Sequence, residues 1–292
     1  MTKGIGASEL ILNSDGSIFH LKLKPGQVAN DIILVGDPGR VKMIAGFFDK
    51  IELQVENREF ATITGVYKGK RLTVLSTGIG TDNIDIVMNE LDALVNIDLI
   101  NREIKAERKS LNIIRIGTSG AIQSDIPIFS FLASRKSIGF DGLLNFYARR
   151  EEISDLAFET AFKKHTGWNP LLASPYIVNS DDILFSKICD DQFIEGITIS
   201  APGFYAPQGR ELRLATADPG LNSKLESFRF NSMKITNYEM ESSAIYGLSK
   251  LMGHSALTVC LIIANRLIHN VGTDYKPEME RLVELILGKL TK

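Results

Sequence analysis

Three apolar runs of similar design constrain this chain more than any other feature. They are Asp31-Ile-Ile-Leu-Val-Gly-Asp-Pro-Gly-Arg40, Leu111-Asn-Ile-Ile-Arg-Ile-Gly-Thr-Ser-Gly120 and Leu257-Thr-Val-Cys-Leu-Ile-Ile-Ala-Asn-Arg266. A run that short, with little polar alternation, suits a strand covered on both faces, as in a parallel sheet between helices. Helical patterns lie between the runs, so strands and helices alternate and parallel pairing is expected. Arg40, Arg115 and Arg266 each stand at or near the carboxyl end of their strand. In open α/β sheets that edge is where ligands sit. A guanidinium within a buried strand demands an anion. For Arg115 the anion is either a ligand or a structural partner such as a nearby Glu, and the residues alone leave both open.

The acids come from Thr236–Met252. Ala244, Ile245, Leu248, Leu251 and Met252 recur at helical spacing and form one apolar stripe. Glu241 lies four residues before Ile245 and heads that stripe, with Met240 and Glu239 just before it. A first-turn acid on an exposed face would gain ~0.3–1 kcal/mol from the helix dipole. An acid aimed inward is costly without a partner, so a ligand-facing role stands beside the capping one. Several arginines with two acids fit a phosphate beside a polyhydroxylated sugar. Arginine forks hold the anion, and carboxylates accept from hydroxyls.

The remaining elements follow from local signals. A helix is expected over about residues 41–48. The glycine-bearing turn before it can cradle an anion or serve as a plain connection. Residues 58–66 and 71–79 read as a hairpin around Lys68-Gly69-Lys70. Thr81-Asp82 is expected to cap a helix whose stripe is Ile84, Val87, Met88, Leu91 and Leu94. Residues 96–110, seven of fifteen charged, read as a solvated helical extension or loop. Strands are expected in 126–141 and 171–179, with helices near 154–165, from Asp181-Asp182, and over 277–290. Ser200-Ala-Pro-Gly-Phe-Tyr-Ala-Pro-Gln-Gly-Arg210 is a Gly/Pro-rich loop with aromatics, an amide and an arginine. Such a loop can stack on and hydrogen-bond a planar heterocycle, or be a mere connection.

Composition excludes several function classes. The 292 residues carry 33 basic and 35 acidic side chains, net charge −2, with no basic stripe, so nucleic acid and membrane surfaces are poor partners. No apolar run approaches the ~20 residues of a membrane span, and the N-terminus lacks a signal-peptide core, so a cytoplasmic protein is expected. Cys189 and Cys260 are far apart and read as reduced core residues; with four scattered histidines, no metal site is expected. No repeat or linker divides the chain, so 1–292 reads as one domain, with 1–18 a loosely ordered lead-in. His20, between Phe19 and Leu21, reads by itself as a packed surface histidine.

Seven motifs taken together resemble the uridine phosphorylases of the nucleoside phosphorylase superfamily. They are Val-Gly-Asp-Pro-Gly-Arg (35–40), Asn-Arg-Glu-Phe (57–60), Ser-Thr-Gly-Ile-Gly (76–80), Arg-Ile-Gly-Thr-Ser-Gly-Ala (115–121), Phe-Tyr-Ala-Pro-Gln-Gly-Arg (204–210), Asn-Tyr-Glu-Met-Glu-Ser (237–242) and Ala-Asn-Arg (264–266). The resemblance spans about residues 19–290. It implies an α/β domain with a central mixed, twisted, partly barrel-like sheet and helices on both sides. It further implies phosphate held by the Gly36 backbone, Arg40, Arg115 and Thr118, with Arg58 supplied by a neighbouring subunit. Ribose would be bound by Thr118, Met240 and Glu241, with the neighbour's His20 at its 5′ end, and the base by Phe204, Gln208, Arg210 and Arg266.

No cofactor is implied beyond inorganic phosphate as co-substrate. A monovalent cation such as K+ near Glu59 and Asn83 is admitted by some relatives. The implied assembly is a homo-oligomer with shared sites, a dimer at least and a hexamer as the larger alternative. The implied activity is pentosyl transfer: reversible phosphorolysis of uridine, and of deoxyuridine or thymidine, in pyrimidine salvage. Arg115, Arg210, Gln208, Glu241 and Arg266 would carry the chemistry. The alternatives are a purine nucleoside phosphorylase, a nucleosidase of the same superfamily, or a silent nucleoside-binding protein. The chain departs from many relatives at Thr81-Asp82-Asn83, where a Gly-Pro-Ser type sequence is usual.

Overall fold

The structure is a computed structural model that describes residues 4–268 and 270–292. Its first half runs β1 (Asp31–Val35), α1 (Pro38–Ala45), β2 (Lys50–Asn57), β3 (Phe60–Tyr67), β4 (Lys70–Ser76), α2 (Thr81–Asn96), β5 (Ile97–Asp98), β6 (Glu103–Ile104), β7 (Asn112–Ala121) and β8 (Phe131–Gly139). The second half runs α3 (Leu156–Thr166), β9 (Tyr176–Asn179), α4 (Asp182–Ile188), β10 (Phe193–Ser200), α5 (Leu221–Ser227), β11 (Arg229–Phe230), β12 (Met233–Glu239), α6 (Ser242–Met252), β13 (Ser255–Asn265), β14 (Asn270–Val271) and α7 (Lys276–Leu290).

The three arginine-bearing runs are β1, β7 and β13, and they lie side by side. β1 pairs in parallel with β7, and β7 in parallel with β13. All five residues of β1 are buried, as its continuous apolar character requires. The main sheet runs β11-β12-β10-β8-β13-β7-β1-β4-β3-β2, with β9 on β8 and β14 on β13. Its directions are mixed, because β13–β8 and the β2–β3–β4 meander are antiparallel.

One further pairing shapes the site. β12 turns back antiparallel onto β7, with Asn237 opposite Ala121 and Tyr238 opposite Gly120. That closes β12-β10-β8-β13-β7 into a ring and makes the sheet partly barrel-like. The register of β13 on β7 shifts between Ile262 and Ala264, an irregularity of the kind that bends strands at barrel rims.

Helices cover both sides. α2 and α6 bury Val87, Leu91, Ile245 and Leu248 in one core, while α1, α4 and α7 bury Val41, Leu184, Leu282 and Ile286 in the opposite one. Each such side chain contributes roughly 1.5–3 kcal/mol of apolar burial. A third cluster packs Phe158, Phe162 and Phe228 against Ile199 of β10. No described helix is long and apolar enough to cross a membrane.

Three local expectations are corrected. The charged stretch after Asn96 is no helical extension: β5 and β6 pair as a small hairpin. Asp98 accepts from the backbone of Ile100 and Asn101, at 2.9 and 3.1 Å, which favours a turn over another helical turn. Residues 4–18, expected to be loose, pack against this region. Leu10 and Ile18 are buried, and Arg102 donates to the Leu10 carbonyl at 2.6 Å. Thr81-Asp82 makes no side-chain cap for α2. Gly80 stands at the cap position instead, at φ +100°.

Candidate active site

A cavity of about 920 Å³ opens where the carboxyl ends of β1, β7, β12 and β13 meet the 202–210 loop. Its size is that of a small-molecule site. The strand ends and the turns after them supply Gly36, Arg40, Arg115, Glu239 and Glu241, and the loop supplies Phe204, Gln208 and Arg210.

A buried triad forms part of the cavity wall. Arg115 is flanked by Glu239, 3.3 Å away, and by Glu241, with which it makes a very short ion pair. All three are at most 5% exposed. Glu239 also accepts from the Ser200 hydroxyl at 2.5 Å, the Ser242 hydroxyl at 2.6 Å and the backbone N–H of Glu241 at 2.8 Å. Its carboxylate therefore satisfies donors at the start of α6 that would otherwise be unpaired. Glu241 accepts from the Gly80 N–H at 2.8 Å. Only a residue tolerant of positive φ readily offers its N–H in that direction, which is why a glycine ends the Ser76–Gly80 segment. Burial alone would push the Arg115 guanidinium down, but the Glu241 and Glu239 charges outweigh it and hold it above its ordinary value. Burial pushes Glu241 up, Arg115 opposes that, and the Glu239 charge adds to the rise.

Arg40 is different. It lines the cavity, donates to the Ile116 carbonyl at 3.2 Å, and makes no ion pair among the described residues. Burial and then the neighbouring Arg115 charge push its guanidinium down. An anion in the cavity would relieve that repulsion. Gly36 and Thr118 line the cavity with it. The Asp37 side chain caps α1 by accepting from the Gly39 N–H at 2.8 Å.

Another part of the wall is the 202–210 loop. The buried Gln208 accepts from Arg210 through Oε1 at 2.6 Å, which leaves its amide hydrogens and a second lone pair for a ligand. The Arg210 guanidinium lies 3.8 Å from the Phe204 ring centroid, so one face of that ring already carries a cation. Burial and the Arg266 charge push Arg210 down to about 10. Arg266, expected against the base, is not among the cavity-lining residues. It donates to the Gln208 carbonyl and sits over the Tyr238 ring, 5.3 Å from its centroid. It braces the loop from behind.

Residues 31–287 match the profile of the Phosphorylase superfamily. The chain belongs to that superfamily. A curated uridine phosphorylase from Thermococcus kodakarensis is 30% identical over 280 residues, covering 93% of this chain and 86% of the relative. A DeoD-type purine nucleoside phosphorylase from Listeria monocytogenes is 25% identical over 244 residues, covering 83% and 85%. Among solved structures, a Trypanosoma brucei nucleoside phosphorylase described as showing uridine phosphorylase activity superposes with a TM-score of 0.86. It is 30% identical and covers 96% of this chain and 99% of that one.

Most site residues carried over from the superfamily come together around one cavity: Gly36, Arg40, Arg115, Thr118, Phe204, Gln208, Arg210, Met240 and Glu241 all line it. Glu59 and Asn83 also line it, both beside Gly78. His20 and Arg58 do not reach the cavity of their own chain. Asn57, the residue before Arg58, donates to the His20 carbonyl at 2.7 Å. Arg58 sits in the tight β2–β3 turn at φ +54°, a conformation uncommon for a residue with a side chain. The pairing of Glu239 with Arg115 and the place of Tyr238 beneath Arg266 were not expected from the sequence. The Glu-Met-Glu spacing was the available signal for the first; the second had none.

Proposed function

We propose that this chain cleaves uridine with inorganic phosphate to uracil and ribose 1-phosphate. The observation that carries the reading is two unlike recognition surfaces facing one cavity. One is Arg40, which makes no ion pair among the described residues, with Gly36 and Thr118, suited to a phosphate; the other is the Gln208–Arg210 pair, suited to uracil's O2, N3–H and O4. Between them stand Met240 and the Arg115–Glu241 pair, suited to ribose hydroxyls.

In this reading a phosphate oxygen attacks C1′ of the ribose as the N1–C1′ bond breaks. The bonding electrons leave with the base, and positive charge develops on the sugar. Holding phosphate below C1′ converts an encounter into an oriented attack. Gln208 and Arg210 donate to the departing uracil anion in the manner of an oxyanion hole. Arg266 contributes by fixing Gln208. Glu241 accepts from the 2′- and 3′-hydroxyls while Arg115 balances its charge and reaches the phosphate.

We further propose a cytoplasmic homo-oligomer in which Arg58 and His20 complete the neighbour's site. A K+ ion near Glu59 and Asn83 is proposed only as one shared between subunits, since these two side chains of one chain offer too few oxygens. A purine nucleoside phosphorylase is the second reading, given the purine-specific relative. Against it, the resemblance implies an acid after β13 in purine-cleaving relatives, and this chain has Asn265 and Arg266 there, with the Asn265 amide donating to the Gln123 and Ile126 carbonyls at 2.9 and 2.8 Å.

The test is phosphate-dependent release of free base from uridine, thymidine, cytidine and inosine, by wild type and Gln208→Ala. Uridine should be cleaved far faster than inosine or cytidine, and Gln208→Ala should lose most uridine cleavage. Inosine cleaved as fast as uridine would sink the assignment, and base release without phosphate would make the protein a nucleosidase.

A further inference from the structure

Glu90 of α2 has no part in the chemistry above, yet it is tied to one of its residues by three contacts. Its carboxylate accepts from the backbone N–H of His20 at 3.0 Å, from that of Leu21 at 2.8 Å, and faces His20 Nδ1 at 2.7 Å. The Glu90 side chain is 12% exposed and that of His20 25%. The Phe19 and Phe60 rings meet the imidazole edge-on, at 4.8 and 6.4 Å between centroids, and restrict its plane. Asn57 holds the His20 carbonyl and is followed directly by Arg58. Glu90, His20 and Asn57 thus form one braced unit next to Arg58.

An ionised carboxylate can only accept hydrogen bonds, so the ring nitrogen facing Glu90 must carry the hydrogen. The neutral imidazole is then the Nδ1–H form, and Nε2 is left with a lone pair. The same device, a carboxylate behind a histidine, fixes the tautomer of metal-binding imidazoles. Nε2 makes no hydrogen bond among the described residues.

We propose that Glu90 is a positioning residue that locks His20 as a hydrogen-bond acceptor at Nε2, so that the site His20 completes selects nucleosides with a free 5′-hydroxyl. The proposal rests on the reading that His20 serves the sugar bound by a neighbouring subunit. A 5′-hydroxyl donates to Nε2. A 5′-deoxy nucleoside leaves that lone pair unpaired. A 5′-phosphate brings more acceptors and negative charge toward Nε2 and the carboxylate behind it, so nucleotides are rejected. The device selects a nucleoside over both its deoxygenated and its phosphorylated forms.

The experiment compares kcat/KM for uridine and 5′-deoxyuridine in wild type, His20→Ala, Glu90→Gln and the double variant. In Glu90→Gln the amide oxygen is drawn to the two backbone N–H groups. Its nitrogen then faces Nδ1 and favours hydrogen on Nε2. The wild type should prefer uridine on the order of tenfold, the worth of one net hydrogen bond. Each single variant should abolish that preference, and the double variant should lose no more than either. Long-range 1H–15N spectra of the histidine-labelled wild type, assigned with His20→Gln, should report the Nδ1–H tautomer; this reading needs no stable Glu90 variant. Hydrogen on Nε2 in the wild type overturns the proposal. A preference lost in His20→Ala but kept in a folded Glu90→Gln also overturns it and spares the reading of the neighbour's sugar. A preference untouched by His20→Ala sinks both.

Discussion

Replacing Arg115 by Met would remove the cation that pairs with Glu239 and Glu241, which are 4% and 3% exposed. Breaking a buried ion pair by deleting one partner costs roughly 3–5 kcal/mol, because the other charge is left uncompensated. Both carboxylates keep backbone donors, at Gly80 and at Glu241 and Ser242, so the lower end, about 3 kcal/mol, is expected at pH 7.5. At ~2–4 °C per kcal/mol for large domains, the melting temperature should fall by roughly 6–12 °C. The loss should also depend on pH. Burial already holds Glu241 above the ordinary carboxylate range, and Arg115 is the attraction that opposes it. Without Arg115 the folded-state value rises further above the unfolded one. A carboxyl raised in this way stabilises the fold at low pH and loses that contribution as pH rises through its folded value. The deficit of Arg115→Met should therefore shrink between pH 7.5 and pH 5.5, and adding Glu241→Gln should recover part of it at pH 7.5. Calorimetric melting at matched protein concentration measures both effects, since oligomers melt in a concentration-dependent way. A deficit under ~1 kcal/mol, or one equal at both pH values, would refute the argument that this arginine is a structural counter-charge as well as a ligand group.

Other outcomes follow from the same geometry. Arg210→Gln should leave the ligand-free protein as stable as wild type or more so at neutral pH, while uridine affinity falls, because burial and Arg266 oppose the Arg210 charge; thermal melts paired with KM check it, and a less stable variant contradicts it. Gly139→Ala should destabilise by ~1–3 kcal/mol, since its Cβ would lie 2.2 Å from Cζ of the buried Tyr176; an unchanged denaturation midpoint would show that the ring yields freely. Chains inactivated by Arg58→Ala and by Arg40→Ala should regain activity when unfolded together and reassembled, because a mixed pair holds one intact site; mixtures as inactive as the separate variants would exclude sharing.

What the sequence by itself determined was whatever depends on local burial. β1, β7 and β13 could be read because a strand covered on both faces must be continuously apolar, and the inward stripe of α6 because its period is that of a helix. The gathering of Arg40 and Arg115 at one edge followed from parallel pairing. The resemblance added the loop residues Phe204, Gln208 and Arg210, which no periodicity would single out. The partner of Arg115 was not legible: both a ligand anion and a structural Glu fitted the residues. The return of β12 onto β7 decided it by bringing Glu241 against an arginine 126 residues away. The same closure let Arg266 reach the back of Gln208 rather than the cavity. The packed lead-in and the Glu90–His20 contact likewise join segments about 90 and 70 residues apart. Periodicity reports which face of an element is buried. It carries no information about which distant charge that face will meet, and a hydrogen bond is gained or lost within an ångström, so only the closed sheet could settle these pairings.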